Sequence, residues 1–107
     1  MANLNNKQSL IHAIEDYDVY SLNQRKILAL LVNVSVKQLA SVSIDYITKT
    51  VRISKPNVYQ NITKLIKDKT IIRIRQKGTK VDSYELCKEK LDYILQIYQN
   101  KKNIENN

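Results

Sequence analysis

The basic side chains of this sequence are the residues best able to do chemistry, and they are concentrated in one segment. Residues 49–80 carry ten basic side chains and one acidic one, Asp68, for a net charge of +9, whereas the whole 107-residue chain carries +8. A localised basic segment is typical of a protein that binds a polyanion. A membrane surface is the weaker alternative, because binding there favours Trp and Phe and the sequence has neither. We therefore expect a nucleic-acid partner and no membrane association.

Catalytic and metal-binding chemistry has little support in the sequence. His12 and Cys87 are the single histidine and the single cysteine, and neither has a second residue at the spacing of a catalytic pair or a metal site. The single glycine, Gly78, excludes the glycine-rich loops that bind phosphate. One cysteine also excludes a disulfide framework and fits a reducing, cytoplasmic environment. The sequence predicts no enzymatic activity, no metal and no cofactor.

Helical periodicity and capping residues define the N-terminal half of the chain. Apolar residues at helical spacing predict a first helix from Lys7 to about Val19. Ser21 and Gln24 have the spacing of a capping box, which predicts that a second helix starts at Ser21. Residues 35–43 have three interpretations: an extension of that second helix, a short β-strand, or the first helix of an alternative helix-turn-helix.

Two further helices are predicted beyond residue 43. Ser43 is placed to cap a short helix, and after a break at residues 52–54, Ser54 is placed to cap a longer one. Pro56 lies in the first turn of the longer helix, where its missing N–H is harmless. The longer helix has an apolar stripe that we expect to face inward: Val58, Ile62, Leu65 and Ile66.

A β-hairpin and a last helix complete the predicted elements. Apolar and basic side chains alternate over residues 72–75, which is the period of a β-strand. A second short strand follows residues 76–80, so we expect a hairpin with Gly78 at its tip, where the backbone needs a positive φ. A final helix covers about residues 87–101.

Two helices at a tight turn followed by a basic hairpin predict a winged helix-turn-helix, which is mainly α-helical with a small β-hairpin (α+β), flanked by N- and C-terminal helices. The motifs are Ile44-x-x-Ile47, Val51-Arg52-Ile53-Ser54, Lys55-Pro56-Asn57-Val58, Ile62-x-x-Leu65, Ile71-Ile72 and Tyr84-Glu85-Leu86. This pattern, over about residues 44–86, resembles the DNA-binding core of the MarR-like group of bacterial and archaeal regulators. It implies one domain over residues 1–107, with the helix-turn-helix at about 43–68, the wing at about 71–86 and a C-terminal dimerisation helix at about 87–101.

One position departs from the pattern of that group. A glycine usually stands between the recognition helix and the next strand, where this sequence has Lys69 or Thr70. A left-handed cap is unfavourable for residues other than glycine. We therefore expect this helix to end by a different geometry.

The resemblance makes the helix over residues 54–68 the recognition helix. A rotation of 100° per residue from the apolar stripe places Gln60, Lys64 and Lys67 on its outward face. Asn and Gln suit adenine, Thr suits the thymine methyl group and lysines suit phosphates, while basic side chains on a narrow wing suit the minor groove or its flanking phosphates. The expected DNA-binding residues are Ser54, Lys55, Asn57, Gln60, Thr63, Lys64, Lys67, Arg73, Arg75, Lys77, Gly78 and Lys80.

The last helix has apolar residues over more than half of its circumference, so it must be buried on two sides. In a chain of this size we expect the second side to be covered by another copy of the chain. Two copies would hold two recognition helices about one turn of DNA apart. The expected dimer interface comprises Leu10, Ile14, Tyr17, Leu91, Ile94, Leu95 and Tyr98.

The leading functional interpretation is a sequence-specific double-stranded DNA-binding protein, most simply a dimeric transcriptional regulator, with an AT-rich target as one possibility. The first alternative has the same fold but acts in plasmid or phage partition (centromere binding) or replication control. The second alternative is a winged helix that binds proteins and not DNA. The sequence does not identify the target site, the direction of regulation or a small-molecule effector.

Overall fold

Five helices and three short strands follow one another along the chain in the part that the structure describes. The structure is a computed structural model and describes residues 2–75, 77–79 and 81–105. The helices are α1 (Ala2–Asp16), α2 (Leu22–Val34), α3 (Ile44–Val51), α4 (Lys55–Lys67) and α5 (Lys88–Glu105), and the strands are β1 (Leu39–Val42), β2 (Ile71–Ile74) and β3 (Asp82–Leu86). The expected winged helix-turn-helix with flanking helices is confirmed, although α1 begins and ends earlier, and α5 ends later, than the periodicity indicated.

Side-chain hydrogen bonds satisfy backbone groups at both ends of helix α2. The Ser21 hydroxyl accepts from the Gln24 backbone N–H (3.2 Å), and the Gln24 side chain accepts from the Ser21 N–H (3.1 Å), so the predicted capping box is confirmed. At the other end Lys7 Nζ donates to the carbonyls of Ser35 (2.6 Å) and Asn33 (3.2 Å). A cation at a helix C-terminus satisfies unpaired carbonyls and complements the helix dipole. Lys7 therefore holds α1 against the end of α2.

The ambiguous residues 35–43 contain strand β1, so the strand interpretation is the correct one. Val36 and Leu39 exchange two backbone hydrogen bonds (2.9 and 3.1 Å) around Lys37 and Gln38, which both have positive φ values of 51° and 69°. Positive φ at both central residues is the arrangement of a type I′ turn, which usually requires Asn-Gly. β1 then pairs antiparallel with β3, and the sheet order is β1-β3-β2. The wing therefore belongs to a three-stranded sheet.

One hydrophobic core connects the helices to the inner face of the sheet. Helix α1 packs against α2 and α5, and α4 packs against α2, α3 and β2. The side chains with the least exposure include Ile14, Ile27, Leu28, Leu31, Ile47, Val58, Ile62, Leu65, Ile71, Tyr84 and Ile94. Complete burial of one such aliphatic side chain contributes about 1.5–3 kcal/mol. This core fixes α4 by its apolar face and leaves its other face on the surface.

Candidate nucleic-acid interface

The outward face of α4 is polar, basic and exposed. Val58, Ile62 and Leu65 are fully buried, as the apolar periodicity predicts. On the opposite side a shallow groove is lined by Pro56, Tyr59, Gln60, Thr63, Lys64 and Lys67, all of which are exposed. Helix α4 therefore presents a surface on which amide, hydroxyl and ammonium groups lie together.

Most of these polar groups are not used within the chain. In the described part of the molecule no hydrogen bond or ion pair engages the side chains of Asn57, Gln60, Lys64 or Lys67. The Thr63 hydroxyl donates to a backbone carbonyl of its own helix (2.9 Å), so its oxygen retains acceptor capacity. Asn and Gln amides can bond an adenine edge in bidentate fashion, and lysines can bind phosphates. The face thus has groups for both kinds of DNA contact.

The N-terminal end of α4 is open. Ser54 occupies the N-cap position as predicted, but the prediction that its side chain caps the helix is wrong, because no side-chain cap hydrogen bond forms. An N-cap side chain accepts from the second or third helical N–H, and Pro56 stands at the second position with no N–H to give. Lys55 lies beside the end and forms an exposed ion pair with Asp45 across the helix-turn-helix (3.3 Å). The unpaired N–H groups of the first turn suit a phosphate oxygen.

The C-terminal end of α4 has the left-handed cap that we did not expect from the sequence. Lys69 adopts a left-handed conformation with φ of 60°. Its N–H donates to the Ile66 carbonyl (2.9 Å) and the Thr70 N–H donates to the Leu65 carbonyl (3.0 Å), which together make a Schellman motif. The expectation of a different helix end is therefore wrong. Two backbone hydrogen bonds and the complete burial of Thr70 offset the unfavourable φ of Lys69.

Asp68, the single acid of the basic segment, is bonded into the protein. The Tyr20 hydroxyl donates to its carboxylate, the Thr70 hydroxyl donates to it at 3.2 Å, and Lys90 Nζ lies 3.3 Å away. Burial acts to raise the pKa of Asp68, but the hydrogen bonds from Tyr20 and Lys90 outweigh it, so the pKa is lowered. Burial of the Tyr20 phenol and its bond to Asp68 raise the pKa of Tyr20. The negative charge of Asp68 is thus compensated by groups from other elements.

The described basic residues at the tip of the wing are exposed, whereas Arg73 on β2 is not. Arg75, Lys77 and Gly78 are exposed, and the predicted positive φ of Gly78 is confirmed at 81°. A Cβ on Gly78 would meet nothing within 4 Å, so the backbone conformation alone favours glycine there. Lys80 lies outside the described residues. The wing thus adds two exposed basic side chains, Arg75 and Lys77, to those of α4.

Arg73 differs from the other basic residues of the wing, because its side chain is only 19% exposed. Its guanidinium lies 6.0 Å from the centre of the Tyr84 ring, and its Nε lies 3.8 Å from a carboxylate oxygen of Asp82. Strand alternation places it on the same face as Ile71, whereas Ile72 and Ile74 are exposed. Among the described residues, Arg73 Nε and the buried Tyr84 hydroxyl have no hydrogen-bond partner, and burial raises the pKa of Tyr84. Arg73 is thus largely part of the sheet, in contrast to its expected place on the DNA-facing surface.

The residues expected at a dimer interface lie along the contact between α1 and α5 within one chain. Ile14 and Ile94 have no exposed surface, and Tyr17 and Leu91 retain 8% and 5% of theirs. Leu10, Leu95 and Tyr98 are half-buried. A side chain without exposed surface cannot contact another copy in this conformation. The exposed apolar side chains of α5 are instead Tyr93 and Ile104.

Two other kinds of site were searched in the described ranges. No group of three or more His, Cys, Asp and Glu side chains there is arranged to hold a metal ion. None of the helices in those ranges is both long enough and apolar enough to cross a bilayer.

Solved structures that resemble this chain share one fold. The YusO protein from Bacillus subtilis has a TM-score of 0.61 at 17% identity, covering 98% of this chain and 72% of that one. Rv1404 from Mycobacterium tuberculosis has a TM-score of 0.61 at 11% identity (97% and 70%), and the oxidized form of MarR from E. coli has 0.54 at 13% identity (99% and 76%). No protein-family model and no curated protein matches the sequence. The chain therefore has a MarR-like winged-helix fold, and the resemblance indicated by the sequence motifs is confirmed at that level.

Proposed function

We propose that this protein is a cytoplasmic, sequence-specific double-stranded DNA-binding protein that acts as a dimer, most simply as a transcriptional regulator. The observation that carries the proposal is the outward face of α4. There the side chains of Asn57, Gln60, Lys64 and Lys67 are exposed and make no hydrogen bond or ion pair within the described residues. Polar side chains without partners on a rigid helix are ready to bind a ligand without first breaking internal bonds.

In this proposal α4 enters the major groove and the wing lies on the minor groove or the adjacent backbone. An α-helix fits the width of the major groove, where Asn57 and Gln60 would read base edges. Lys64 and Lys67, together with the open N-terminal end at Ser54 and Lys55, would bind phosphates. Arg75 and Lys77 would extend these contacts along the backbone. The MarR-like fold supports this arrangement, because a helix-turn-helix places its second helix in the groove.

The dimer in this proposal uses the outer side of α5. Tyr93 is 55% exposed and Ile104 is 74% exposed, and between them Ile97 is half-buried against the core, so part of this apolar side of α5 stays on the surface of one copy. Leu95 and Tyr98 retain enough exposed surface to contribute at the edge. Two copies joined there would place two α4 helices on half-sites about 34 Å apart.

The proposal is tested by selecting bound fragments from the source genome and measuring affinity for the selected duplex by fluorescence anisotropy. With about six to ten phosphate contacts, affinity should fall by about 10³–10⁵ between 50 and 200 mM salt. A flat salt response would refute the electrostatic argument. An inverted repeat in the selected site supports a dimeric regulator, whereas tandem repeats support the partition or replication alternative, and the absence of any duplex affinity supports the protein-binding alternative.

Lysines and amides of α4 should behave differently in the same measurement. Lys64→Ala should weaken all duplexes alike and reduce the salt slope by about 1, because it removes one phosphate contact. Asn57→Ala and Gln60→Ala should lower affinity for the selected duplex more than for a scrambled one, because base contacts specify the sequence. Equal losses on both duplexes for the amide variants would contradict the assignment of base contacts.

A further inference from the structure

The acid that ends α4 bonds to parts of the molecule against which α4 itself packs little. Helix α4 packs chiefly against α2, α3 and β2, while α5 packs chiefly against α1. The carboxylate of Asp68 bonds to Tyr20, in the connection between α1 and α2, and to Lys90 on α5. One side chain thus connects the end of α4 to the α1–α2 connection and to α5.

Two of the groups that bond the carboxylate of Asp68 are buried. Tyr20 is 4% exposed and Thr70 is fully buried, and their hydroxyl groups also lie within hydrogen-bond distance of each other, so the three side chains form one small network. The Tyr20 ring is itself held by an edge-to-face contact with Tyr17 of the same connection, at 4.9 Å between ring centres. Hydrogen bonds of buried hydroxyls to a carboxylate are short and geometrically demanding. These bonds hold the carboxylate, whose side chain is 40% exposed, against the α1–α2 connection and α5.

The two ends of α4 are held very differently. At the N-terminal end Ser54 makes no cap hydrogen bond and Lys55 has only an exposed ion pair. At the C-terminal end the Schellman motif at Lys69 is followed directly by the buried Thr70, which also bonds Asp68. A helix held at one end changes its tilt when that end is released. The core holds α4 along its length, and the contacts of Asp68 add a hold at its C-terminal end against the layer formed by α1 and α5 (the α1–α5 layer).

We propose that Asp68 is a positioning residue that fixes the tilt of α4 against the α1–α5 layer through Tyr20 and Lys90, and so sets selectivity for the DNA site. This inference rests on the proposed function, because it concerns the same helix. Asp68 touches no DNA in this scheme and acts through α4. In a dimer joined along α5, the tilt of α4 determines whether both copies reach their half-sites together.

The test uses Tyr20→Phe and Asp68→Asn, with Asp92→Asn as a control. Tyr20→Phe removes the hydroxyl without changing net charge or the aromatic ring. Asp68→Asn also removes one negative charge, and Asp92→Asn removes the same charge from an exposed ion pair within α5 (2.7 Å to Lys88). Comparing the two Asn variants therefore separates positioning from charge. All variants are measured at a temperature at which their far-UV circular dichroism equals that of the wild type.

The first readout needs no DNA. Spin labels are placed at Gln60→Cys on α4 and Gln99→Cys on α5 in a Cys87→Ser background, and labelled protein is diluted with unlabelled protein. The wild type and Asp92→Asn should give one narrow distance distribution in double electron–electron resonance. Tyr20→Phe and Asp68→Asn should broaden or shift it. A distribution unchanged in both variants would overturn the positioning role.

The second readout is the ratio of affinities for the selected duplex and a scrambled duplex. We expect Tyr20→Phe and Asp68→Asn to lower this ratio at least about fivefold, the low end of typical coupling effects. The affinity of Tyr20→Phe for scrambled DNA should equal that of the wild type. The affinities of Asp68→Asn and Asp92→Asn for scrambled DNA should be equal to that of the wild type or higher. An unchanged ratio would overturn the link to selectivity. If the wild type itself does not distinguish the duplexes, the proposed function fails, and the spin-label distances still decide the positioning role.

Discussion

Helix α4 and the hairpin formed by β2 and β3 are both basic in sequence, yet they place their basic side chains differently. On α4, Lys64 and Lys67 are exposed and the apolar stripe is buried. On β2, Arg73 lies on the inner face while Ile72 is 57% exposed. The presence of a basic residue in a charged segment therefore does not by itself place its side chain on the surface, as Arg73 shows. The comparison separates basic residues that face solvent from one that packs within the sheet.

The largest expected effect lies on the buried face of α4. Ile62→Ala should lower the free energy of unfolding by about 2–5 kcal/mol, because it leaves a cavity in the core. Gln60→Ala, two residues earlier on the exposed face, should change it by less than about 0.5 kcal/mol. Urea unfolding measures both variants. Similar losses would show that the two faces of α4 are not distinct.

The corresponding test on the hairpin compares two arginines of different exposure. Arg73→Ala should lower the free energy of unfolding by about 1–2 kcal/mol, because the side chain covers the Tyr84 ring. Arg75→Ala should leave stability within about 0.5 kcal/mol and should instead weaken DNA binding at low salt. Urea unfolding and anisotropy on the same samples give both quantities. The comparison fails if Arg73→Ala weakens DNA binding without loss of stability.

The junction between α4 and β2 gives a smaller effect of opposite sign. Lys69→Gly should raise the free energy of unfolding by up to about 1 kcal/mol, since the left-handed conformation costs a non-glycine residue about 1–2 kcal/mol and glycine loses about 0.5–1 kcal/mol in chain entropy. Lys67→Gly, in the last turn of the helix, should instead destabilise the protein by about 0.5–1 kcal/mol. Thermal unfolding of the pair is the measurement. Destabilisation by both would contradict the strain at Lys69.

The smallest effect is a pH dependence at the same junction. The pKa of Asp68 lies below its ordinary value of 3.8, so its ionised form stabilises the folded state. This contribution is fully present above pH about 4 and is lost as pH falls through the lowered pKa. The difference in Tm between wild type and Asp68→Asn should therefore shrink at acidic pH. A difference that stays constant from neutral pH to pH about 2.5 would exclude this linkage.

Features set by local physics could be predicted from the sequence. Helical periodicity identified the buried stripe of α4, the capping box at Ser21 and Gln24 was correct in both of its hydrogen bonds, and Gly78 was placed at a positive φ. Each of these depends on residues within about one helical turn or one tight turn. Short-range steric and hydrogen-bonding preferences are therefore sufficient to specify them.

Features set by distant contacts could not be predicted. Lys37 and Gln38 carry no preference for the turn that they form, so β1 depends on its pairing with β3. Strand alternation gave the period of β2 but not which face is buried, because the sheet determines that. The bond between Tyr20 and Asp68 spans 48 residues, and no local pattern marks either partner.

Four described residues other than glycine hold left-handed conformations: Lys37, Gln38, Arg52 and Lys69. A substitution to glycine or asparagine at any of them relaxes the backbone and leaves the outward face of α4 untouched. The chain thus offers stabilising substitutions at positions outside the outward face of α4. Under the proposed function, a change at Asn57 or Gln60 that alters the target and weakens the fold can be offset at one of these four positions.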